Sequence, residues 1–277
     1  MLSQGYETTE NMGNVKLSPT LKYTTMNVRR ENYFYGTLGI EIGSTPLSYP
    51  VFKPNTYAYN LISLGDAYLL SKEIDSATSM YGLSNVDSHL QKNSEWGAVA
   101  YLTHSGFGVD GSEANKNEVA INATNASNYV KKVYAVTSKN SDIGASSTGN
   151  ITGVFDLNGG ILEMTAGFLK GGECTDEPAS HNAMVTKDTT ASNEYVTIYE
   201  ASYSSNNKIG DAIRETSTTG SSSTGWNSDN STYGTSTVPG FLRGGAYNYS
   251  TGAGIFAFTR TAGTVNDQYG FRVCLAF

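Results

Sequence analysis

Residues 240–277 read GFLRGGAYNYSTGAGIFAFTRTAGTVNDQYGFRVCLAF and decide the fold that we expect for this chain. The pair Gly244 and Gly245 permits a tight backbone turn at which a side chain would clash. Arg243 and Arg272 carry guanidiniums that can brace loops through bidentate hydrogen bonds. Each buried apolar anchor between them contributes roughly 1.5–3 kcal/mol. The stretch therefore predicts a rigid frame of glycines, aromatic residues and arginines.

Polar and aromatic side chains fill the positions between these anchors, and we predict that they face solvent. Changes there alter ligand affinity without unfolding the domain, because the anchors supply the burial. Tyr247, Tyr249 and Tyr269 are the strongest candidates for ligand contact, since tyrosine offers a large area at low entropic cost. Asn266 and Asp267 add polar specificity. The alternative is that these tyrosines, three of 19 in the chain, only cover a β-rich surface. The positions between the anchors are Ala246, Tyr247, Asn248, Tyr249, Thr251, Thr259, Thr261, Thr264, Val265, Asn266, Asp267 and Tyr269.

Two helices are predicted upstream of this stretch. Apolar residues at mixed spacings of three and four indicate a first helix over residues 60–80. The second helix begins at Asn93 or Ser94, either of which can cap it, and has Glu95 in its first turn. Its apolar face includes Trp96.

Residues 153–168, GVFDLNGGILEMTAGF, alternate in polarity and contain a turn signal. This pattern predicts a hairpin between residues 154–157 and 161–165. Glu163 interrupts an otherwise apolar strand, so we expect it to pair with one of the two arginines or with backbone amides. The alternative is a catalytic role for Glu163.

The rest of the chain is rich in glycine and in small polar residues. Residues 1–60 combine short apolar runs with glycine and proline, which indicates irregular strands. One further strand is predicted at residues 129–136. Residues 202–237 are dominated by Ser, Thr, Asn and Gly, and they could form a disordered linker. Because Trp226 and Tyr233 give this tract something to bury, we predict a long ordered surface loop instead.

Composition excludes two function classes. The formal net charge is −7 and no basic cluster occurs, so the chain is not expected to bind nucleic acid. No apolar run approaches the roughly 18 residues that span a bilayer, and the first residues do not resemble an export signal. Charged residues make up 16% of the chain against an average of about 25%, which favours strands and long loops over helical bundles.

Cysteine and histidine are scarce. Cys174 and Cys274 could form one disulfide, but two separate buried thiols are expected, since unpaired cysteine is often buried. His89 and His104 flank the second helix, and we interpret them as surface or packing residues and not as metal ligands.

Four segments in order resemble the formylglycine-generating-enzyme (sulfatase-modifying factor) family. They are NSEWGAVAYL (93–102), GVFDLNGGILEMTAGF (153–168), FLRGGAYN (241–248) and GFRV (270–273). The resemblance implies an α+β, C-type-lectin-like fold with two helices, short antiparallel strands and long ordered loops over residues 61–277. We expect residues 1–60 to form an N-terminal irregular β segment that either packs on that domain or is a module of its own. The structural frame implied by the resemblance consists of Trp96, Glu163, Arg243, Gly244, Gly245, Phe256, Phe258, Gly270, Phe271 and Arg272.

The chain lacks the groups that catalyse the family's reactions. The oxidases use a cysteine pair shortly before the terminal GFR, but residues 250–269 contain no cysteine. The sulfoxide synthases need clustered histidines, whereas this chain has only His89, His104 and His181 at unrelated spacings. We therefore expect no enzyme activity, no catalytic residues and no metal or other cofactor. Structural calcium, which some relatives bind, is not assigned to any carboxylate.

Residues 243–272 more specifically resemble the variable region of proteins diversified by retroelements, a class found as phage receptor-binding proteins and bacterial surface proteins. The resemblance implies that the twelve positions between the anchors, Ala246 to Tyr269 as named above, bind the ligand. Several residue types at these positions, notably Tyr, Thr, Ala, Asp and Val, can be reached from an Asn codon by changing adenines. The segments 93–102 and 157–167 are also similar to proteins of gut Firmicutes and their phages, some of them pilin-like or tail-associated.

The resemblance implies a non-catalytic receptor- or adhesin-type protein on a virion or a bacterial cell surface. Its partner would be a protein or glycan receptor on a cell, with no nucleic acid and no membrane insertion, and homo-oligomers remain open. One alternative is a structural pilin-like or phage tail subunit. A formylglycine-generating oxidase is the other, and the missing cysteines disfavour it.

Overall fold

The structure of the chain is a computed structural model that describes part of its length. The described residues are 23–26, 39–42, 45–48, 60–75, 83, 86–108, 147–148, 153–154, 157–159, 161–174, 184–185, 189–246, 249 and 252–276. For the first three of these ranges the description is limited to the backbone. The predicted strand at 129–136 and most of the 1–60 segment lie outside the described residues.

The described residues form a mixed α+β structure, which confirms the predicted class at that level. The helices are α1 (Leu64–Glu73) and α2 (Asn93–Thr103). The strands are β1 (Tyr23–Met26), β2 (Gly39–Ile42), β3 (Thr45–Ser48), β4 (Asp87–Leu90), β5 (Leu162–Leu169), β6 (Thr197–Tyr199), β7 (Gly240–Arg243), β8 (Phe258–Thr261) and β9 (Tyr269–Ala276).

One seven-stranded sheet organises the described part of the chain. Its main path runs β1-β9-β5-β7-β8, with β4 paired to β9 and β6 paired to β5. Strand β9 is antiparallel to β1 and β4 and parallel to β5, and β5 is also parallel to β6. The expectation of antiparallel strands is therefore wrong for these two pairs. Among the described strands the last lies beside the first, so a strand from the 1–60 segment extends the main sheet. Strands β2 and β3 pair only with each other in the described structure.

Helix α1 is shorter than the predicted 60–80. Ser63 has extended backbone angles and its hydroxyl oxygen accepts a hydrogen bond from the Asp66 N–H at 3.1 Å, so the helix begins there and not at residue 60. The helix buries Leu64, Ala67 and Leu70 against the sheet. The largest core cluster contains these residues together with apolar side chains of β5, β7 and β9, including Met164, Phe168, Leu242, Phe271 and Val273.

Helix α2 lies where the sequence predicts it, but the predicted caps Asn93 and Ser94 are wrong, because both lie inside the helix. Lys92 is the N-cap, and the Glu95 carboxylate accepts the Lys92 backbone N–H at 2.8 Å. The carboxylate satisfies a donor that a helix start would otherwise leave without a partner. Trp96 is fully buried and packs in a second core cluster with Leu157, Ile255 and other residues.

Gly97 lets α2 approach the loop that precedes residue 212. A Cβ at this position would lie against the carbonyl oxygen of Gly210 and 2.7 Å from the Cα of Asp211. We expect Gly97→Ala to lower the free energy of unfolding by about 1–3 kcal/mol, because backbone must move apart. We expect this loss to outweigh the roughly 1 kcal/mol by which alanine is intrinsically more favourable than glycine in a helix. Urea unfolding followed by circular dichroism measures the change.

Gly106 provides the matched control for this substitution. A Cβ there would have no heavy atom within 4 Å. Gly106→Ala should therefore change stability by no more than about 0.5 kcal/mol. Equal stability of the two variants would show that α2 is free to shift away from residues 210–211.

The hairpin predicted at 154–157 and 161–165 is wrong. Val154 and Leu157 are buried but are not in strand conformation. Strand β5 pairs instead with β7, β9 and β6, all distant in sequence, and the Gly159 N–H donates to the carbonyl of Gly244 at 2.9 Å. The local pattern identified a strand but not its partners, which long-range burial selects.

Residues 202–237 form an irregular segment with 3₁₀ turns at Tyr203–Ser205 and Trp226–Ser228. Tyr233 is buried in a third core cluster with Phe241, as the sequence predicts. The predicted burial of Trp226 is wrong, since 44% of this residue is exposed. Its ring makes edge contacts with Phe256 and Tyr101 at centroid distances of 5.2 and 6.4 Å.

Candidate functional site

A buried ion pair joins the two parallel strands at the centre of the sheet. Arg272 on β9 donates from Nε and Nη2 to the two carboxylate oxygens of Glu163 on β5, at 2.8 and 2.6 Å. Each residue is 2% exposed. Burial raises the pKa of Glu163, and the guanidinium opposes that rise. The expected pairing of Glu163 with an arginine is therefore present, and the carboxylate is engaged in a structural contact.

The second buried guanidinium holds a loop. Arg243 on β7 is fully buried and donates to the carbonyl oxygens of Asp211 and Ala212 at 3.2 and 3.1 Å. It lies 5.5 Å from the ring centroid of Trp96 and 5.9 Å from that of Phe258. Burial lowers its pKa to about 10, so the group keeps its proton at neutral pH. Arg243 therefore ties residues 211–212 to the sheet.

The turn after β7 depends on its two glycines. Gly244 and Gly245 have φ of 83° and 76°, a region that strains other residues. A Cβ on Gly245 would also lie 2.6 Å from the Cα of Ala253. Trp96 Nε1 donates to the carbonyl of Ile255 at 2.7 Å, which fixes the returning chain.

The predicted frame thus comes together around one sheet. Asp229, a buried carboxylate that the sequence did not single out, adds to it by accepting the Phe256 N–H at 3.0 Å. A Cβ on Gly254 would collide with this carboxylate. All ten frame residues are described and buried: Trp96, Glu163, Arg243, Gly244, Gly245, Phe256, Phe258, Gly270, Phe271 and Arg272.

Residues 262–268, which we call the β8–β9 loop, are held by their backbone. The carbonyls of Gly263 and Asn266 accept the N–H groups of Leu64 and Leu61 at 3.0 and 3.1 Å. The side-chain amide of Asn60 donates to the carbonyl of Asp267 at 2.7 Å. The carbonyl of Gln268 accepts the N–H of Leu162 at 2.9 Å. Four successive anchors outside the loop therefore set its path.

The twelve predicted ligand-binding positions differ in exposure. Val265 and Asp267 are exposed, and Val265 is 46% exposed. Tyr249, Thr259, Thr264, Asn266 and Tyr269 are half-buried. Tyr247, Asn248 and Thr251 lie outside the described residues. The predicted exposure of Ala246 and Thr261 is wrong, because Ala246 is fully buried in the main core and Thr261 packs at the end of β8.

Tyr249 and Tyr269 belong partly to the fold. Both pack against the main core cluster, and burial raises the pKa of both hydroxyls, with Tyr249 adding to the effect at Tyr269. Both side chains are half-buried, so each leaves part of its surface to solvent. Removing them would change stability as well as any contact, so they do not provide a clean test of binding.

A second cluster of polar side chains, which the sequence did not predict, lies where β4 meets α2. Both nitrogens of His89 contact carboxylates: Nδ1 lies 2.8 Å from Asp87 Oδ1, and Nε2 lies 2.9 Å from Glu95 Oε1. Burial acts to lower the pKa of His89, but the hydrogen bonds and charges of Glu95 and Asp87 outweigh it and raise the pKa. Cys274 of β9 completes the cluster.

The structure describes both cysteines and two of the three histidines. Cys174 and Cys274 are both buried thiols, in agreement with the expectation. His89 and His104 are both buried, and the ring centroids of His104 and Phe256 lie 4.9 Å apart. His181 lies outside the described residues.

Comparison with known proteins does not identify a family. No protein-family model matches the chain, and a search of curated proteins found no match. Neither described helix reaches the length or apolar character required to cross a bilayer.

Proposed function

We propose that the chain is a non-catalytic binding protein with a C-type-lectin-like fold of the formylglycine-generating-enzyme type. Support comes from the terminal strand β9 lying between β1 and β5, and from the convergence of all four motif segments. Each segment contributes one buried residue to these contacts. The guanidinium of Arg243 lies beside the ring of Trp96, and Arg272 pairs with Glu163. Glu163 and Arg243 lie opposite each other in the β5–β7 ladder, which links the two pairs. These contacts support a structural role for the matched residues.

The bound partner in this proposal is a protein or glycan receptor on a cell, and the site of action is a virion or a bacterial cell surface. The β8–β9 loop carries the proposal, because its backbone is fixed by anchors that do not use the side chains of Thr264 or Val265. Side chains at such positions can change with little effect on folding. This property is what a retroelement-diversified protein requires.

The test is a triple substitution in the β8–β9 loop, Thr264→Ala with Val265→Ala and Asp267→Ala. We expect Thr264→Ala and Val265→Ala each to alter stability by no more than about 0.5 kcal/mol, and circular dichroism establishes that the triple variant is folded. Binding should weaken about tenfold or more, or ~1.4 kcal/mol, because these side chains form the contact surface. Binding of the purified chain to a glycan microarray and to a panel of intact bacterial cells provides the probes.

The matched control changes three exposed side chains elsewhere, Ser204→Ala with Asn207→Ala and Ile209→Ala. This variant should bind as the wild type does. Unchanged binding by the loop variant, or no binding of the wild type to either probe, would contradict the proposal. The neighbouring DNA tests whether the protein is diversified by a retroelement. A reverse transcriptase gene there, together with a near-copy of the DNA encoding residues 243–272 that differs mainly at adenines, would support that part of the proposal.

A further inference from the structure

His89, Glu95 and Cys274 bring three different metal-ligating atoms to one place. They come from β4, α2 and β9, and their ligand atoms all lie within 4.8 Å of one another. His89 and Cys274 are directly paired across the β4–β9 ladder, so their side chains share a face of the sheet. Both are buried, while 18% of the Glu95 side chain is exposed. Two ligands of the cluster are therefore held by paired strands, and solvent reaches it on the Glu95 side.

Asp87 gives this cluster the outer contact that metal-bound histidines usually have. Its carboxylate lies 2.8 Å from Nδ1 of His89, which fixes the ring orientation and leaves Nε2 pointing at Glu95. A carboxylate behind a histidine raises the basicity of the opposite nitrogen and holds it toward a metal. The ring of Tyr195 lies beside the imidazole, with centroids 5.7 Å apart.

We propose that His89 Nε2, a Glu95 carboxylate oxygen and Cys274 Sγ bind one Zn²⁺ ion, with solvent as the fourth ligand. Nitrogen, oxygen and thiolate are the donors that zinc takes in tetrahedral sites. Donors about 2.0–2.2 Å from such an ion lie ~3.4 Å apart, so the His89 and Glu95 atoms must separate by about 0.5 Å. The inference is independent of the proposed receptor binding.

Titration of the untagged full-length chain with Co²⁺, a spectroscopic substitute for zinc, tests the site. We expect one Co²⁺ per chain, with a sulfur-to-cobalt charge-transfer band in the near ultraviolet and strong visible bands of a tetrahedral ion. Added Zn²⁺ should remove these bands and raise the melting temperature. Cys274→Ser and His89→Gln should each abolish the charge-transfer band.

Cys174→Ser is the matched control, because Cys174 is also buried but lies in the main core outside this cluster. It should keep the wild-type spectrum. Circular dichroism of each metal-free variant establishes that it is folded, and Cys274→Ala replaces Cys274→Ser if the latter is not. Absence of the bands in the wild type, or their persistence in a folded Cys274 variant, would overturn the proposal.

Discussion

Replacing Arg272 with methionine is expected to lower the free energy of unfolding by about 3–5 kcal/mol. The substitution leaves the Glu163 carboxylate 2% exposed in the centre of the sheet without the guanidinium that contacts both of its oxygens. An uncompensated buried charge is among the few causes of so large a loss. Urea unfolding at neutral pH, with the slope checked against the wild type, provides the value.

The pH dependence of this variant distinguishes lost charge from lost packing. Burial raises the pKa of Glu163 above its unfolded value, and without Arg272 the rise is larger. A raised carboxyl pKa gives stability that is complete below the unfolded pKa and is lost as the pH rises through the folded one. The deficit of Arg272→Met should therefore shrink as the pH is lowered toward about 4, the unfolded value for Glu.

A double variant, Glu163→Leu with Arg272→Met, is the control for the pair. Two apolar residues of similar volume need no compensation, so we expect this variant to recover most of the loss. A deficit in Arg272→Met that is independent of pH, with no recovery in the double variant, would mean that the arginine acts through packing alone.

The features most readily predicted from the sequence were the contacts of charged side chains that lie in apolar segments. A single carboxylate in the apolar strand β5 implies a cationic partner wherever the chain supplies one, and Glu163 does contact Arg272. The pairing of β5 was not predictable in the same way. Alternation identifies a strand, but burial against distant segments selects β7 and β9 as its neighbours over the nearby 154–157.

The candidate site was predicted in outline only. Sequence spacing marked the anchors around the β8–β9 loop, but the exposure of each position depends on the neighbouring elements. Ala246 is buried because the chain turns back into the main core after Gly245. The cluster at His89 has no spacing signal at all, since its members come from three elements that only the sheet brings together.

Replacing Trp96 with alanine is the second large effect, a loss of about 3–5 kcal/mol. The side chain is fully buried in the second core cluster, and its ring lies 5.5 Å from the guanidinium of Arg243. Its removal leaves a cavity beside a buried cation and orphans the Ile255 carbonyl, which accepts the Nε1 hydrogen bond at 2.7 Å. Thermal and urea unfolding followed by circular dichroism measure the loss.

The chain contains one other tryptophan, and it provides the comparison. Trp226 is 44% exposed and touches Phe256 and Tyr101 by ring edges, so Trp226→Ala should cost only about 1 kcal/mol. Trp96→Phe keeps most of the ring volume but removes the Nε1 donor. Its loss of stability therefore reports the hydrogen bond, and the further loss in Trp96→Ala reports the cavity. Trp96 thus connects α2 to the segment that leads into β8. If Trp96→Ala and Trp226→Ala lowered the free energy of unfolding by similar amounts, Trp96 would not be the main stabilising residue of the second core cluster.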